Sequence, residues 1–156
     1  MIRVQAEPFD PATELDAFAR DHDHVGAVTT FTGRVRVAAE GPRLVALTLE
    51  HYPGMTERLL AEIEAEAQAR WPLAASLIVH RVGRMLPGEA IVMVATASAH
   101  RDAAFDACRF LIDWLKTKAP FWKYEETMAG GDWVAAKDSD DAAASRWDTT
   151  HKSGED

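Results

Sequence analysis

The chain has 156 residues, 47% of them hydrophobic, with 5 Trp and 6 Phe, which is material for one core and one domain. Its 25 Asp and Glu outnumber 17 Lys and Arg for a net charge of −8, a field that repels DNA, RNA and anionic membrane as main partners. Cys108 is the one cysteine, which excludes an intrachain disulfide framework, a four-thiolate metal site and a Cys-X-X-Cys pair; with apolar runs far short of the ~20 residues of a membrane span, the expectation is a cytoplasmic protein.

Residues 2–6 read as a short strand. Asp10 followed by Pro11 supplies an N-cap and a first helical position for a helix that turns Leu15, Phe18 and Ala19 inward and ends near His22. Residues 25–36 are rich in Val and Thr and alternate, which predicts a strand with Arg34 and Arg36 on one side. The turn pair Gly41-Pro42 then predicts an antiparallel neighbour over residues 44–52, closed by Pro53-Gly54.

Met55, Leu59, Ile63 and Ala67 recur at four-residue spacing, predicting an amphipathic helix that stops before Pro72, with its glutamates as a solvated face. Residues 76–82 and 89–98 read as central strands around the turn pair Pro87-Gly88. Helical periodicity runs over residues 101–118, with Ala104, Phe105, Cys108, Leu111, Ile112 and Leu115 inward. Residues 121–126 and 133–136 flank Gly130-Gly131-Asp132 as a hairpin, residues 139–147 read as a last helix capped by Ser139, and residues 148–156 are polar enough to fray. The order β-α-β-β-α-β-β-α-β-β-α, with hairpin-length loops, predicts an α+β fold: a mostly antiparallel sheet with flanking helices, in one domain over residues 1–147.

No Gly-x-Gly-x-x-Gly fingerprint, Walker phosphate loop or Gly-x-Ser-x-Gly elbow is present. What stands out instead is a cationic stretch in an acidic chain: residues 100–123 gather His100, Arg101, Arg109, Lys116, Lys118 and Lys123. A helix starting at Arg101 offers free N–H groups and a positive dipole end to an anion, and a phosphate suits that end. Lys116 and Lys123 bracket the helix-breaking Pro120, which aims two ammonium groups at one region. Lysine can move a proton or attack a carbonyl, which arginine cannot, although a lysine taken alone reads more readily as a solvated cation at a helix end. At 1.5 Å per residue, Arg101 and Lys116 lie about 22 Å apart along one helix. Either the His100-Arg101 end serves another group, or a second copy of the chain supplies it to a site shared across a homodimer, which is the favoured expectation. His22 and His24 have no third ligand cluster to make a metal site, no cofactor is expected, and Cys108 falls on the inward stripe as a core residue.

These residues, in order, resemble the large catalytic subunit of molybdopterin synthase. The matching strings are Gly26-Ala27-Val28 with Phe31-Thr32-Gly33-Arg34-Val35-Arg36, then Leu47-Thr48-Leu49-Glu50-His51-Tyr52-Pro53-Gly54-Met55, then Ser98-Ala99-His100-Arg101 with Ala104-Phe105, and finally Asp113-Trp114-Leu115-Lys116-Thr117-Lys118-Ala119-Pro120-Phe121-Trp122-Lys123. The resemblance implies an αβ hammerhead-like fold and sulfur transfer from the C-terminal thiocarboxylate of a small ubiquitin-like subunit to cyclic pyranopterin monophosphate, forming the dithiolene of molybdopterin. It implies Lys116 and Lys123 as the catalytic pair, Arg36, His100 and Arg101 as substrate-binding residues with Arg34 as a further member, and a homodimer within a heterotetramer. The competing reading of the same cations is a non-catalytic module that binds a carboxylate-ended peptide tail or a small phosphorylated ligand.

Overall fold

The structure is a computed structural model that describes residues 1–37, 41–135 and 138–148. In chain order its elements are β1 (Ile2–Gln5), α1 (Pro11–Asp21), β2 (Ala27–Arg34), β3 (Leu44–His51), α2 (Met55–Arg70), β4 (Leu73–Arg81), β5 (Gly83–Met85), β6 (Ala90–Ser98), α3 (Arg101–Lys118), β7 (Phe121–Thr127), β8 (Gly130–Val134) and α4 (Asp138–Ser145). The strands form two four-stranded sheets, ordered β1-β4-β6-β2 and β5-β3-β7-β8. Among the described residues every pairing is antiparallel except β1 with β4. The α+β expectation, with antiparallel pairing dominant, holds.

In the first sheet, β4 and β6 are the central strands, and their β-branched and small residues are buried on both faces. One face carries α1, where Phe18 packs with Leu77, Val79, Met93, Ala95 and Ala97. The Asp10 carboxylate accepts from the Ala12 and Thr13 N–H groups and Pro11 opens the helix, so the start of α1 lies where the sequence places it. The other face carries α2 and α3: Leu60, Ile63 and Ala67 meet Ile78, Val92 and Val94, with Phe110, Leu111 and Leu115 from α3. Burying a side chain such as Phe110 completely is worth roughly 1.5–3 kcal/mol. The second sheet closes on a smaller core of Val35, Leu44, Leu47, Leu49 and Met85.

Several expectations need correction. Strand β3 does not pair with β2; it pairs with β5 and β7 in the other sheet, because the partner of β2 is the distant β6. Local turn chemistry at Gly41-Pro42 cannot reveal a competing partner more than 50 residues away, nor the three-residue β5 that the expected element order omits. Strand β2 ends at Arg34, where its register against β6 slips between Gly33 and Arg34, so the period-two argument that puts Arg34 and Arg36 on one side does not reach Arg36. The inward stripe of α2 is Thr56, Leu60, Ile63 and Ala67, and Met55 is exposed. Phe105, expected inside, is 60% exposed. The glutamate face of α2 is not wholly solvated: the Glu64 carboxylate accepts from the Met1 ammonium and the Ser76 hydroxyl. Helix α4 already contains Ser139, so Ser139 is not its cap. Ala136, the expected end of the last hairpin, and residues 149–156 of the polar tail lie outside the described residues.

Candidate active site

The two ends of α3 carry the cations that the sequence singles out. His100 is its N-cap residue, in extended conformation, and Arg101 opens the helix with its side chain 84% exposed. The chain enters this corner through a close approach: a Cβ on Gly26 would lie 2.4 Å from the Ala99 carbonyl oxygen, so only glycine fits beside the residue preceding His100. Lys116 occupies the last turn of α3, before Pro120 ends the helical path and starts β7. Lys123 lies on β7, paired with Leu49 on one side and Val134 on the other.

Helix α3 runs back along the strand that precedes it. The Thr96 hydroxyl donates to the Ala104 carbonyl at 2.7 Å, and the Cys108 thiol lies 3.9 Å from the Val94 carbonyl, so the helix advances as β6 is retraced. Its C-terminal end therefore reaches the level where β6 begins, and Arg34 of β2 pairs with Ala90 at that same level. Ala27, at the start of β2, pairs with Ser98 beside the His100 corner. Seven strand steps of about 3.3 Å separate Ala27 from Arg34, or about 23 Å. One chain thus gathers Arg34, Arg36, Lys116 and Lys123 at one end of the first sheet and leaves His100 and Arg101 at the other.

At the lysine end the electrostatics are local. Lys116 Nζ lies 4.0 Å from Asp140 and Lys123 Nζ 3.4 Å from Glu125, both pairs partly solvated, so neither ammonium is held tightly against an incoming anion. Arg36 is exposed. Arg34 differs: its Nε and Nη2 both donate to the Gly88 carbonyl, which makes it a brace for the turn before β6.

Strand patterning alone does not flag several polar side chains at this end. His80 lies within the apolar run of β4; burial pushes its imidazole down to about 4, and its Nδ1–H donates to the Arg81 carbonyl at 2.8 Å. Its neutral ring stacks on Phe121, with centroids 3.9 Å apart, and His51 lies over the same phenyl at 6.3 Å. Phe121 follows Pro120, so the stack fixes the corner between Lys116 and Lys123. Of this stack, His51 lies inside the Glu-His-Tyr-Pro-Gly-Met string and Phe121 inside the Pro-Phe-Trp-Lys string, whereas His80 lies in neither. Arg81 and Glu89 form a second such pair, with Arg81 Nη1 3.1 Å from Glu89 Oε1. Cys108 is buried as expected, and burial raises its thiol to about 11, far from a reactive thiolate.

The family model described as MoaE protein matches residues 4–118. The chain belongs to the MoaE family. It is 54% identical over 147 residues to the molybdopterin synthase catalytic subunit of Pseudomonas aeruginosa, a match covering 94% of this chain and 98% of that one. Among solved structures it is similar to the molybdopterin biosynthesis MoaE protein of Burkholderia ambifaria, with TM-score 0.81 and 49% identity over 96% of this chain and 99% of the other. Molybdopterin synthase from Staphylococcus aureus superposes with TM-score 0.77 at 31% identity, covering 85% and 95%. The MoaE match includes β2, His100, Arg101 and Lys116, while Lys123 lies beyond residue 118.

Proposed function

We propose that this chain is the catalytic subunit of a molybdopterin synthase: a sulfurtransferase that moves sulfur from the C-terminal thiocarboxylate of a small ubiquitin-like subunit to cyclic pyranopterin monophosphate, forming the dithiolene of molybdopterin. The observation that carries the reading is Lys116 and Lys123 on either side of the Pro120 corner, at the same end of the sheet as Arg36, in a chain 54% identical to a molybdopterin synthase catalytic subunit. The buried, protonated Cys108 agrees with it, since the sulfur then has to come from another molecule.

In this reading Lys116 and Lys123 are the catalytic pair. Their ammonium groups offset the charge that develops on oxygen as sulfur adds, and one of them shuttles a proton as the cyclic phosphate opens. Arg36 meets the phosphate from the lysine end. His100 and Arg101 bind phosphate and ring from the helix-start end of a second copy, since about 22 Å of helix keeps them from the same chain's lysines. Arg34 acts through the turn it braces. Residues 1–147 work as one catalytic domain, in a homodimer that binds one small subunit at each end, and the reaction takes place in the cytoplasm.

Incubation with thiocarboxylated small subunit and cyclic pyranopterin monophosphate should yield the dithiolene product, and absence of product would leave the non-catalytic tail-binding module as the better reading. Lys116→Ala should lower turnover by at least ~10²-fold while the small subunit still binds. Undiminished turnover in that variant would show the chemistry to be elsewhere.

A further inference from the structure

Arg36, the arginine assigned to the phosphate, lies two residues beyond the end of β2, and something must fix its direction. The residue before it, Val35, is gripped on both sides by the turn that precedes β6. Val35 N–H donates to the Glu89 carbonyl at 2.9 Å, and Gly88 N–H donates to the Val35 carbonyl at 2.7 Å. The Val35 side chain is 3% exposed and sits in the core of the second sheet. The position of residues 86–89 therefore sets where the chain stands when it reaches Arg36.

That turn is held by charge. Glu89 uses its two carboxylate oxygens separately: Oε1 accepts from Arg81 Nη1 at 3.1 Å and Oε2 accepts from the Leu86 N–H at 2.5 Å, closing the turn on itself. Arg81, at the end of β4, has its side chain 5% exposed, and its buried Nε has no hydrogen-bond partner. A buried, incompletely satisfied guanidinium is a poor device for stability alone, since an apolar pair of similar volume usually does as well. It is a good device for direction, because the guanidinium is anchored in a central strand and its partner carboxylate spans the turn. Arg34 adds the opposite clamp by donating Nε–H and Nη2–H to the Gly88 carbonyl.

We infer that the Arg81–Glu89 pair positions Arg36 for the substrate's anionic group, acting through the 86–89 turn and the main chain of Val35. Neither Arg81 nor Glu89 touches substrate; both are positioning residues. The inference rests on the reading of Arg36 as a phosphate-binding residue.

The test is a double-mutant cycle on the full chain with saturating thiocarboxylated small subunit, measuring KM and kcat for cyclic pyranopterin monophosphate in wild type, Glu89→Gln, Arg36→Ala and the double variant. Glu89→Gln keeps an acceptor for the Leu86 N–H but removes the charge facing Arg81. The expected result is a KM raised roughly five- to tenfold by Glu89→Gln with kcat within about twofold of wild type, and no further rise when Glu89→Gln is added to Arg36→Ala. An equal rise in both backgrounds, or an unchanged KM with only a lower melting temperature, would overturn the inference. If Arg36→Ala itself leaves KM unchanged, the phosphate-binding assignment of Arg36 fails first, and the positioning role falls with it. Should Glu89→Gln not fold, Arg81→Met goes through the same cycle under the same criteria.

Discussion

His80 shows at the scale of one residue how this chain uses a titratable group without titrating it in function. The imidazole is buried, neutral and stacked on Phe121, with burial lowering its pKa from 6.5 to about 4. A histidine whose folded pKa lies below its unfolded value contributes stability in full above pH 6.5, and that contribution is lost as pH falls toward 4, where it levels off. The loss amounts to about 3 kcal/mol across that window. His80→Phe keeps a ring against Phe121 and removes the proton site. The difference in unfolding free energy between wild type and this variant, measured by denaturant titration from pH 7 to pH 4, should therefore shift against the wild type as pH falls. A pH-independent difference would show that His80 is not the buried neutral group described. Periodicity makes Cys108 legible as a core residue, because an inward helix position and a small apolar side chain agree. The same reasoning misplaces Phe105, since a helical stripe says which face is apolar but not where the neighbouring sheet stops covering it.

Among the elements, α3 is both the most legible and the most consequential. Its predicted span of residues 101–118 is the observed one, fixed by the end of β6 at Ser98, the apolar repeat and Pro120. Its anchor is Phe110, fully buried and edge-on to Trp71, Trp114 and Trp147, with the Arg70 guanidinium 4.9 Å above the ring. Phe110→Ala should cost about 3–5 kcal/mol, read from the urea midpoint at an unchanged slope. A smaller loss would mean that the aromatic cluster collapses into the cavity. The second sheet was less legible. Pairing between β3 and β7 joins residues far apart in sequence, such as Leu49 with Lys123, and no local pattern encodes that register. Arg36 illustrates the consequence: alternation extends the strand through it, while a register slip at Gly33/Arg34 and the buried Val35 take it off the sheet.

At the scale of the whole molecule, the separation of the two cationic ends is what sequence and structure state together. Helix length alone keeps Arg101 from Lys116, and the antiparallel path of α3 along β6, with β2 alongside, adds Arg36 to the lysine end and places the His100 corner at the opposite end. Under the proposed function the resemblance selects which cations act, and the fold divides those cations between two ends of the chain. Neither half-site holds the full set, so the account requires that a lysine end from one subunit meet a helix start from another.

That requirement has a direct test in mixed dimers. Lys116→Ala and Arg101→Ala, each expected to be inactive as a homodimer, are unfolded together, refolded as a mixture and assayed for dithiolene formation with thiocarboxylated small subunit. In a mixed dimer with a shared site, one site carries both defects and the other carries neither. Random reassortment should then restore about a quarter of wild-type activity. If the mixture stays as inactive as its parents while mixed dimers form, each site is built from a single subunit and the account is contradicted.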